Sequence, residues 1–255
     1  MQISDMIDGP IELVTFDLYD TLVEAVPPRW ERFCRALELS GFDVSLDQVI
    51  RADREAENFY TIENGRHPIR DRTEEEIAEF RRAQVRAYLV ALDLPDDEET
   101  VTKVQQRFVD ETQNHGGWQY RAFKEVSDVM EYLRRHHVKR AVISNADADV
   151  TRFCLQMGFA EQMDIIITSA LVGWEKPDKR TYFAALEPLG VEPRNAIHIG
   201  DQPLSDVVGA RRIGMGAALI DRYNRFGDGE FDALRVNSLM QLAERVVAYN
   251  AEFDS

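Results

Sequence analysis

The chain has 255 residues, 44% of them hydrophobic, which is enough for one large or two modest domains with a packed core. Its formal charge of −16 disfavours nucleic acid and anionic membranes as partners, because like charges repel. No apolar run approaches membrane-spanning length and the N-terminus lacks a signal-peptide pattern, so we expect a cytoplasmic protein without a membrane partner. Cys34 and Cys154 lie in apolar surroundings far apart in sequence and are predicted to be reduced.

The first predicted element is a buried strand over residues 11–16, which is rich in β-branched and aromatic residues. It ends abruptly at Asp17, and Asp20 and Thr21 follow. Open α/β sheets bind their ligands at the carboxyl ends of their strands, so Asp17 is a candidate functional residue. A carboxylate at this position could equally cap a turn. The residues at the ends of the other predicted strands distinguish these two roles.

Residues 24–122 have an almost entirely helical pattern. Helices are predicted over 27–39, 45–64, 73–92 and from 95 to just before Gly116. Thr73 and Glu76 form a capping box at the start of the third helix. Charged residues occupy the other helix faces, which is typical of a helical bundle with solvated polar surfaces.

From residue 123 the pattern alternates between helix and strand. Strands are predicted at 140–143, 165–167, 196–199 and 217–220, with helices at 126–135, 150–157, 178–189, 204–213 and 237–250. Such alternation indicates an α/β fold, a Rossmann-like parallel sheet with helices on both faces. The domain prediction is a core of residues 1–22 and 123–255 with an inserted all-helical cap domain of residues 23–122. Because the insertion begins soon after Asp17, we expect it near the carboxyl edge of the sheet.

Several polar residues follow the predicted strands and should meet at that edge. They are Asp17, Ser144, Asn145, Thr168 and Asp201, with Lys176 and Asp206 in adjacent segments. Carboxylates with one lysine and one hydroxyl suit phosphoryl transfer through a carboxylate nucleophile. Mg²⁺ held by hard oxygen ligands would reduce the repulsion between that nucleophile and a phosphate, and a lysine would neutralise phosphate oxygens.

The ordered motifs resemble those of the haloacid dehalogenase (HAD) superfamily of hydrolases with a helical cap inserted after the first motif. Asp17 to Thr21 matches Asp-x-x-x-Thr, Ser144 matches the strand-ending hydroxyl, Lys176-Pro177-Asp178 matches the lysine motif, and Gly200-Asp201 with Asp206 matches Gly-Asp-x-x-x-x-Asp. Each motif is weak alone, but the ordered set spans nearly the whole chain.

The resemblance implies roles for these residues in a Mg²⁺-dependent phosphatase that acts on a small phosphorylated metabolite. Asp17 would be the nucleophile, Ser144 would bind phosphate and Lys176 would neutralise charge. The metal ligands would be Asp17, the main-chain carbonyl of Tyr19, Asp201 and Asp206. Substrate contacts are expected from Ser144, Asn145, Lys176, Tyr19 and Asp20.

Tyr19 departs from the phosphatase pattern, in which a second Asp two residues after the nucleophile acts as general acid and base. A phenol with a pKa of about 10 is a poor base at neutral pH, and Asp20 is a possible substitute. Tyrosine at this position resembles the metal-independent 2-haloacid dehalogenases, but those enzymes lack the acidic pair that Asp201 and Asp206 form here. A third alternative is a non-catalytic member that binds a phosphorylated ligand or a protein.

Overall fold

The computed structural model describes residues 1–226 and 230–253. They form two compact units, one of residues 1–24 and 122–255 and the other of residues 25–121. Within the described ranges, no helix combines the length and the apolar character needed to cross a membrane.

The first unit contains a six-stranded parallel sheet in the order β5-β4-β1-β6-β7-β8, so the Rossmann-like α/β prediction is confirmed. Its strands are β1 (Leu13–Phe16), β4 (Lys139–Ser144), β5 (Ile165–Thr168), β6 (Ala196–Gly200), β7 (Gly216–Ile220) and β8 (Leu234–Val236). A two-stranded sheet of β2 (Val23–Ala25) and β3 (Tyr120–Ala122) forms where the chain passes from one unit to the other and back.

The helices that accompany the six-stranded sheet follow its strands in the chain. They are α5 (Val126–Arg135), α6 (Thr151–Gln156), α7 (Ser169–Val172), α8 (Lys179–Leu189), α9 (Gly209–Arg212) and α10 (Leu239–Asn250). Leu13, Ala141 and Ile143 from the sheet share a buried cluster with Tyr182 and Leu186 from α8. Burial of these apolar side chains is the main stabilising term for the sheet.

Strand β1 lies at the centre of the sheet and determines where the site residues meet. Phe16 is in register with Val142 on β4 and with Ile199 on β6. The chain continues this pairing for one more bond, since Asp17 N donates to Ile199 O at 2.8 Å. Residues that follow β1, β4 and β6 therefore emerge side by side at one edge.

Two local predictions were wrong, and the short strands β2, β3 and β8 were not predicted. The first strand begins at Leu13 rather than at residue 11. The predicted helix over 204–213 is a π-helical segment, Pro203–Val208, followed by the short α9. Six residues with apolar spacing do not distinguish π- from α-helical winding, which explains the last error.

The second unit consists of four helices: α1 (Arg29–Leu39), α2 (Leu46–Arg66), α3 (Glu74–Ala91) and α4 (Glu98–Asn114). Ser45 and Thr73 form capping boxes at the starts of α2 and α3, as predicted for Thr73. Inside this unit, Asp53 accepts two bonds from Arg29, at 2.9 and 2.7 Å, and a third from the Tyr88 hydroxyl.

Arg32 joins the beginning and the end of the second unit. Its guanidinium is buried and donates to Val26 O, Pro27 O and Gly117 O at 3.0, 3.1 and 3.0 Å. Val26 N also donates to Gln119 O at 2.9 Å. The two ends of the helical unit are therefore held together by hydrogen bonds within the unit itself.

Candidate active site

Three aspartates meet at the carboxyl edge of the sheet. Asp17 follows β1, Asp201 follows β6, and Asp206 lies in the π-helical segment. One carboxylate oxygen from each lies within 4.8 Å of the others. Gly200 permits this approach, because a Cβ at that position would overlap the Asp206 carboxylate.

Lys176 connects two of these carboxylates. Its Nζ lies 2.7 Å from Asp17 Oδ1 and 2.6 Å from Asp206 Oδ1, and its side chain is 1% exposed. Burial alone would lower the pKa of Lys176, but the charges of Asp17 and Asp206 outweigh burial and raise it. The lysine is therefore a permanent cation between the two carboxylates.

The carboxylates joined by Lys176 differ in proton affinity. Burial raises the pKa of Asp17 to about 7, with Lys176 opposing the rise and the charges of Asp206 and Asp201 adding to it. Asp206 is also buried, but the cation of Lys176 and the hydrogen bond from His198 outweigh burial and lower its pKa. Asp17 therefore ionises with difficulty unless further positive charge is present.

The donor set fits a hard divalent cation. Carboxylate oxygens are the ligands that Mg²⁺ takes in proteins, and three converge within one small volume. A bound dication would offset the repulsion among the carboxylates and favour the ionised form of Asp17. The residues that would hold it are Asp17, Asp201 and Asp206, with the Tyr19 carbonyl as a further predicted ligand.

Ser144 ends β4, the neighbour of β1, and its hydroxyl is fully buried. Among the residues described, its Oγ has no hydrogen-bond partner. Buried hydroxyls are usually bonded, so an unpaired one at this edge is consistent with a ligand oxygen as its missing partner.

Asn145 follows Ser144 and contacts the lysine segment. Its Nδ2 donates to Lys176 O at 2.9 Å, and its Oδ1 accepts from Lys176 N at 2.7 Å. Its amide thus binds the main chain of Lys176, whereas the sequence predicted substrate contact at this position. A substrate role for Asn145 stays a prediction.

Tyr19 and Asp20 lie in the turn after Asp17. The ring of Tyr19 packs near that of Phe153, with their centroids 5.9 Å apart. Asp20 has a φ of 57°, the left-handed region that Asp tolerates better than most residues, and its N donates to Val23 O at 2.7 Å. The substrate contacts expected of both side chains, and the acid–base role considered for Asp20, stay predictions.

Two contacts of the cluster were not foreseen from the sequence. His198 on β6 is fully buried, and its Nε2 lies 3.3 Å from Asp206 Oδ1. Its Nδ1 is 2.8 Å from the Thr15 hydroxyl, and burial lowers the pKa of His198, so it acts as a neutral partner. Arg225 pairs with Asp201 at 2.9 Å, although it belongs to a polar loop.

Glu175, which precedes Lys176 in the sequence, is a buried acidic residue. The residue is 7% exposed, and its Oε1 lies 3.5 Å from the Ser169 hydroxyl in α7. A single acidic letter next to a lysine carries no signal of burial, so the sequence could not reveal this.

The family model of haloacid dehalogenase-like hydrolases matches residues 42–220. The chain belongs to this family. The matched segment contains Ser144, Lys176, Asp201 and Asp206, while Asp17 precedes it. As a member of the haloacid dehalogenase-like hydrolase family, the protein is a hydrolase.

Relatives of this chain include a haloacid dehalogenase-like hydrolase of similar length and a phosphoserine phosphatase. The chain is 28% identical over 217 residues to haloacid dehalogenase-like hydrolase domain-containing protein 3 of Mus musculus, with 82% of each chain covered. It is 34% identical over 125 residues to a phosphoserine phosphatase of Thermus thermophilus, covering 48% of this chain and 50% of that protein.

Solved structures with the same fold include a phosphatase and a 2-haloacid dehalogenase. A HAD phosphatase from Thermococcus onnurineus is 21% identical with a TM-score of 0.53, covering 92% of this chain and 97% of that one. A 2-haloacid dehalogenase from Pseudomonas syringae is 24% identical with a TM-score of 0.54, covering 94% and 99%. These likenesses establish the fold and leave the reaction to be argued from the site.

Proposed function

We propose that this hydrolase is a Mg²⁺-dependent phosphatase that cleaves phosphomonoesters of a small metabolite through an aspartyl-phosphate on Asp17. The observation that carries the proposal is the convergence of Asp17, Asp201 and Asp206 around Lys176. Three carboxylates and one lysine would repel an anionic substrate unless a divalent cation joins them.

In the proposed reaction, an Asp17 carboxylate oxygen attacks phosphorus and the bond from phosphorus to the ester oxygen breaks. The leaving oxygen takes a proton and departs as an alcohol. Water then attacks the phosphorus of the aspartyl-phosphate, which releases inorganic phosphate and restores the Asp17 carboxylate. Mg²⁺, when bound, would supply charge neutralisation for the phosphoryl group.

Lys176 and Ser144 have supporting roles in this proposal. Lys176 remains cationic at neutral pH and can neutralise a phosphoryl oxygen that approaches Asp17. The buried Ser144 hydroxyl can donate to another phosphoryl oxygen, which would satisfy its hydrogen-bonding capacity. We further propose that the helical unit of residues 25–121 acts as a cap that selects the substrate.

Tyr19 makes the protonation steps the weak point of the reaction. A phenol can donate a proton to a leaving alkoxide. Because its pKa is about 10, it stays protonated at neutral pH and is a poor base for the attacking water. We therefore expect the highest rates with esters whose leaving groups need no protonation, such as p-nitrophenol.

The test is hydrolysis of p-nitrophenyl phosphate with Mg²⁺ and with EDTA. The proposal expects phosphate release that requires Mg²⁺ and is abolished in Asp17→Asn. The matched control is Asp128→Asn, which changes an exposed aspartate on α5 and should leave the rate unchanged. Equal rates with Mg²⁺ and with EDTA would contradict the proposal.

A metal-independent 2-haloacid dehalogenase is the second candidate, and Tyr19 is the residue that favours it. In that reaction Asp17 would attack the halogen-bearing carbon and halide would leave. The acidic pair of Asp201 and Asp206 opposes it, because two further carboxylates would repel a carboxylate substrate. Halide release from 2-chloropropionate in EDTA would favour this candidate, and its absence would remove it.

A further inference from the structure

In residues 221–226, which follow β7, one buried carboxylate accepts hydrogen bonds from the main chain. Asp221 accepts hydrogen bonds from Arg225 N at 2.7 Å and from Phe226 N at 3.2 Å. Arg235, in the middle of β8, places its Nη2 2.7 Å from Asp221 Oδ2. Asn224 has a φ of 53°, in the left-handed region, which lets the main chain turn between Asp221 and Arg225. The main chain at Arg225 is therefore held in place from two strands.

This fixed backbone directs the Arg225 side chain onto Asp201. Its Nη2 lies 2.9 Å from Asp201 Oδ2 and 2.9 Å from Asp201 O. The two side chains are 3% and 4% exposed. A guanidinium that contacts both the main-chain carbonyl and the carboxylate of one residue restricts the rotation of that side chain. Gln202 Nε2 donates to the same carboxylate oxygen at 2.9 Å.

We infer that Arg225 is a positioning residue of the metal site, which orients Asp201 so that its carboxylate can ligate a divalent cation. The inference rests on the proposed metal site. Arg235 on β8 pairs with Asp221, Asp221 accepts a hydrogen bond from the main-chain N of Arg225, and the Arg225 side chain pairs with Asp201. The orientation of Asp201 therefore depends on contacts that begin at β8. Partners that orient metal ligands in this way control metal affinity as well as activity.

Charge balance supports the same role. When all three aspartates of the cluster are ionised, Lys176 and Arg225 leave one net negative charge. A dication then turns the cluster positive, which suits a phosphate ester. Without Arg225, Asp201 would be a buried carboxylate lacking its guanidinium partner, and its side chain would lose the contact that fixes its orientation.

The test measures Mn²⁺ binding by electron paramagnetic resonance of the free ion, with Mg²⁺ as competitor and no substrate present. Carboxylate sites accept both ions. We expect Arg225→Met to weaken both affinities by about 10- to 100-fold, the usual cost of losing such a partner. Arg225→Lys retains the charge but not the guanidinium whose Nη2 contacts both Asp201 O and Asp201 Oδ2, so it should show a smaller loss.

Arg222→Met is the matched control from the same loop. Arg222 is also partly buried and ion-paired, with Nη1 2.6 Å from Glu125 Oε1 and Nη2 3.1 Å from Thr21 O. If loop arginines only stabilise the fold, Arg222→Met and Arg225→Met will lower the melting temperature while metal affinity stays at the wild-type value, and the inference is overturned. If Arg225→Met does not fold, Arg225→Lys is compared with Arg222→Lys in the same assay.

Metal binding and phosphatase activity are separate outcomes here. Selective loss of Mn²⁺ and Mg²⁺ affinity in the Arg225 variants supports the inference even if wild type hydrolyses no phosphomonoester, in which case the proposed function fails alone. Wild-type protein that binds neither ion overturns the inference. Tighter binding in Arg225→Met also overturns it, because Arg225 would then act by repelling the cation.

Discussion

Asn145 and Lys176 exchange two hydrogen bonds, one from the Asn145 amide to Lys176 O at 2.9 Å and one from Lys176 N to Asn145 Oδ1 at 2.7 Å. The residues come from segments after β4 and β5, so this pair ties together two neighbouring parts of the sheet edge. Lys176 Nζ reaches Asp17 and Asp206 from this anchored backbone. The placement of the cation therefore depends on an amide that need not touch substrate.

Replacing Asn145 with alanine should lower kcat because both bonds to Lys176 are lost. A displacement of about 1 Å in a catalytic group can reduce the rate by about 100-fold, and we expect a loss of that order in p-nitrophenyl phosphate hydrolysis. Asn195→Ala is the control, since that amide bonds Glu12 on the surface. A rate within about twofold of wild type would show that Lys176 is positioned without the amide.

Tyr19→Asp should increase the hydrolysis of alkyl phosphates, whose leaving oxygen requires a proton. A carboxyl two residues after Asp17 would supply the missing acid and base, and such groups contribute about 10²- to 10⁴-fold. The measurement is kcat/KM for an alkyl phosphate relative to p-nitrophenyl phosphate. Tyr19→Phe serves as the control, and a strong loss of activity in it would mean that the phenol itself transfers the proton.

Mg²⁺ binding should release a proton when the pH is below the pKa of Asp17. Burial raises this pKa from 3.8 to about 7, and a bound dication favours the ionised carboxylate. We expect about one proton released per site near pH 6 and almost none near pH 8.5. Titration calorimetry in buffers of different ionisation enthalpy measures it, and Asp17→Asn should show no release. Equal heats in all buffers at pH 6 would refute the assignment.

The same pKa predicts the sign of the pH dependence of stability without metal. The folded-state pKa of Asp17 lies above its ordinary value, so the protonated carboxyl stabilises the folded protein. This stabilisation is fully present below about pH 4 and is lost as the pH rises through about 7. Urea unfolding in EDTA should therefore show that Asp17→Asn becomes more stable relative to wild type as the pH rises from about 4 to about 7. An unchanged difference across this range would contradict the prediction.

In the helical unit, Asp53→Asn should destabilise the fold strongly. Asp53 is fully buried and binds Arg29 through two bonds and Tyr88 through a third. Removing one partner of a buried ion pair costs about 3–5 kcal/mol in the free energy of unfolding. Urea unfolding followed by circular dichroism measures this value.

Glu38→Gln is the control for Asp53→Asn. It breaks a surface pair between Glu38 and Arg35, whose side chains are 50% and 55% exposed, and should cost far less stability than Asp53→Asn. If the two variants have the same unfolding free energy, the buried pair contributes no more than an exposed one.

Much of the site could be predicted because a strand that ends in a polar residue indicates both the strand itself and the sheet edge at which that residue lies. The apolar run before Asp17 predicts a strand, and the parallel arrangement then places its end beside Ser144 and Asp201. The motif spacing also indicated Lys176 and Asp206, which lie off the strands, and the structure gives both of them contacts within the cluster. Chain order and periodicity indicated the residues at the strand ends, and the resemblance to the family motifs indicated Lys176 and Asp206.

Other parts of the site carried no readable signal. Strand β8 has only three residues, Leu-Arg-Val, and so short an alternation does not distinguish a strand from a loop. Arg225 lies in a polar segment that looks solvated, and its burial depends on Asp221, Arg235 and Asp201 arriving from different strands. Such ion pairs depend on tertiary packing that periodicity does not encode.

The hydrogen bonds that Arg32 and Val26 make between the two ends of the helical unit have a consequence for folding order. While residues 25–121 are unfolded, they form a loop of roughly 100 residues between β1 and α5, and closing such a loop costs about 4 kcal/mol in chain entropy. Once these helices have formed, residues 26 and 119 are joined by a hydrogen bond, and Phe123 N can donate to Leu22 O at 3.0 Å. The inserted segment then acts kinetically as a short turn, so we expect its prior folding to accelerate pairing of β1 with β4.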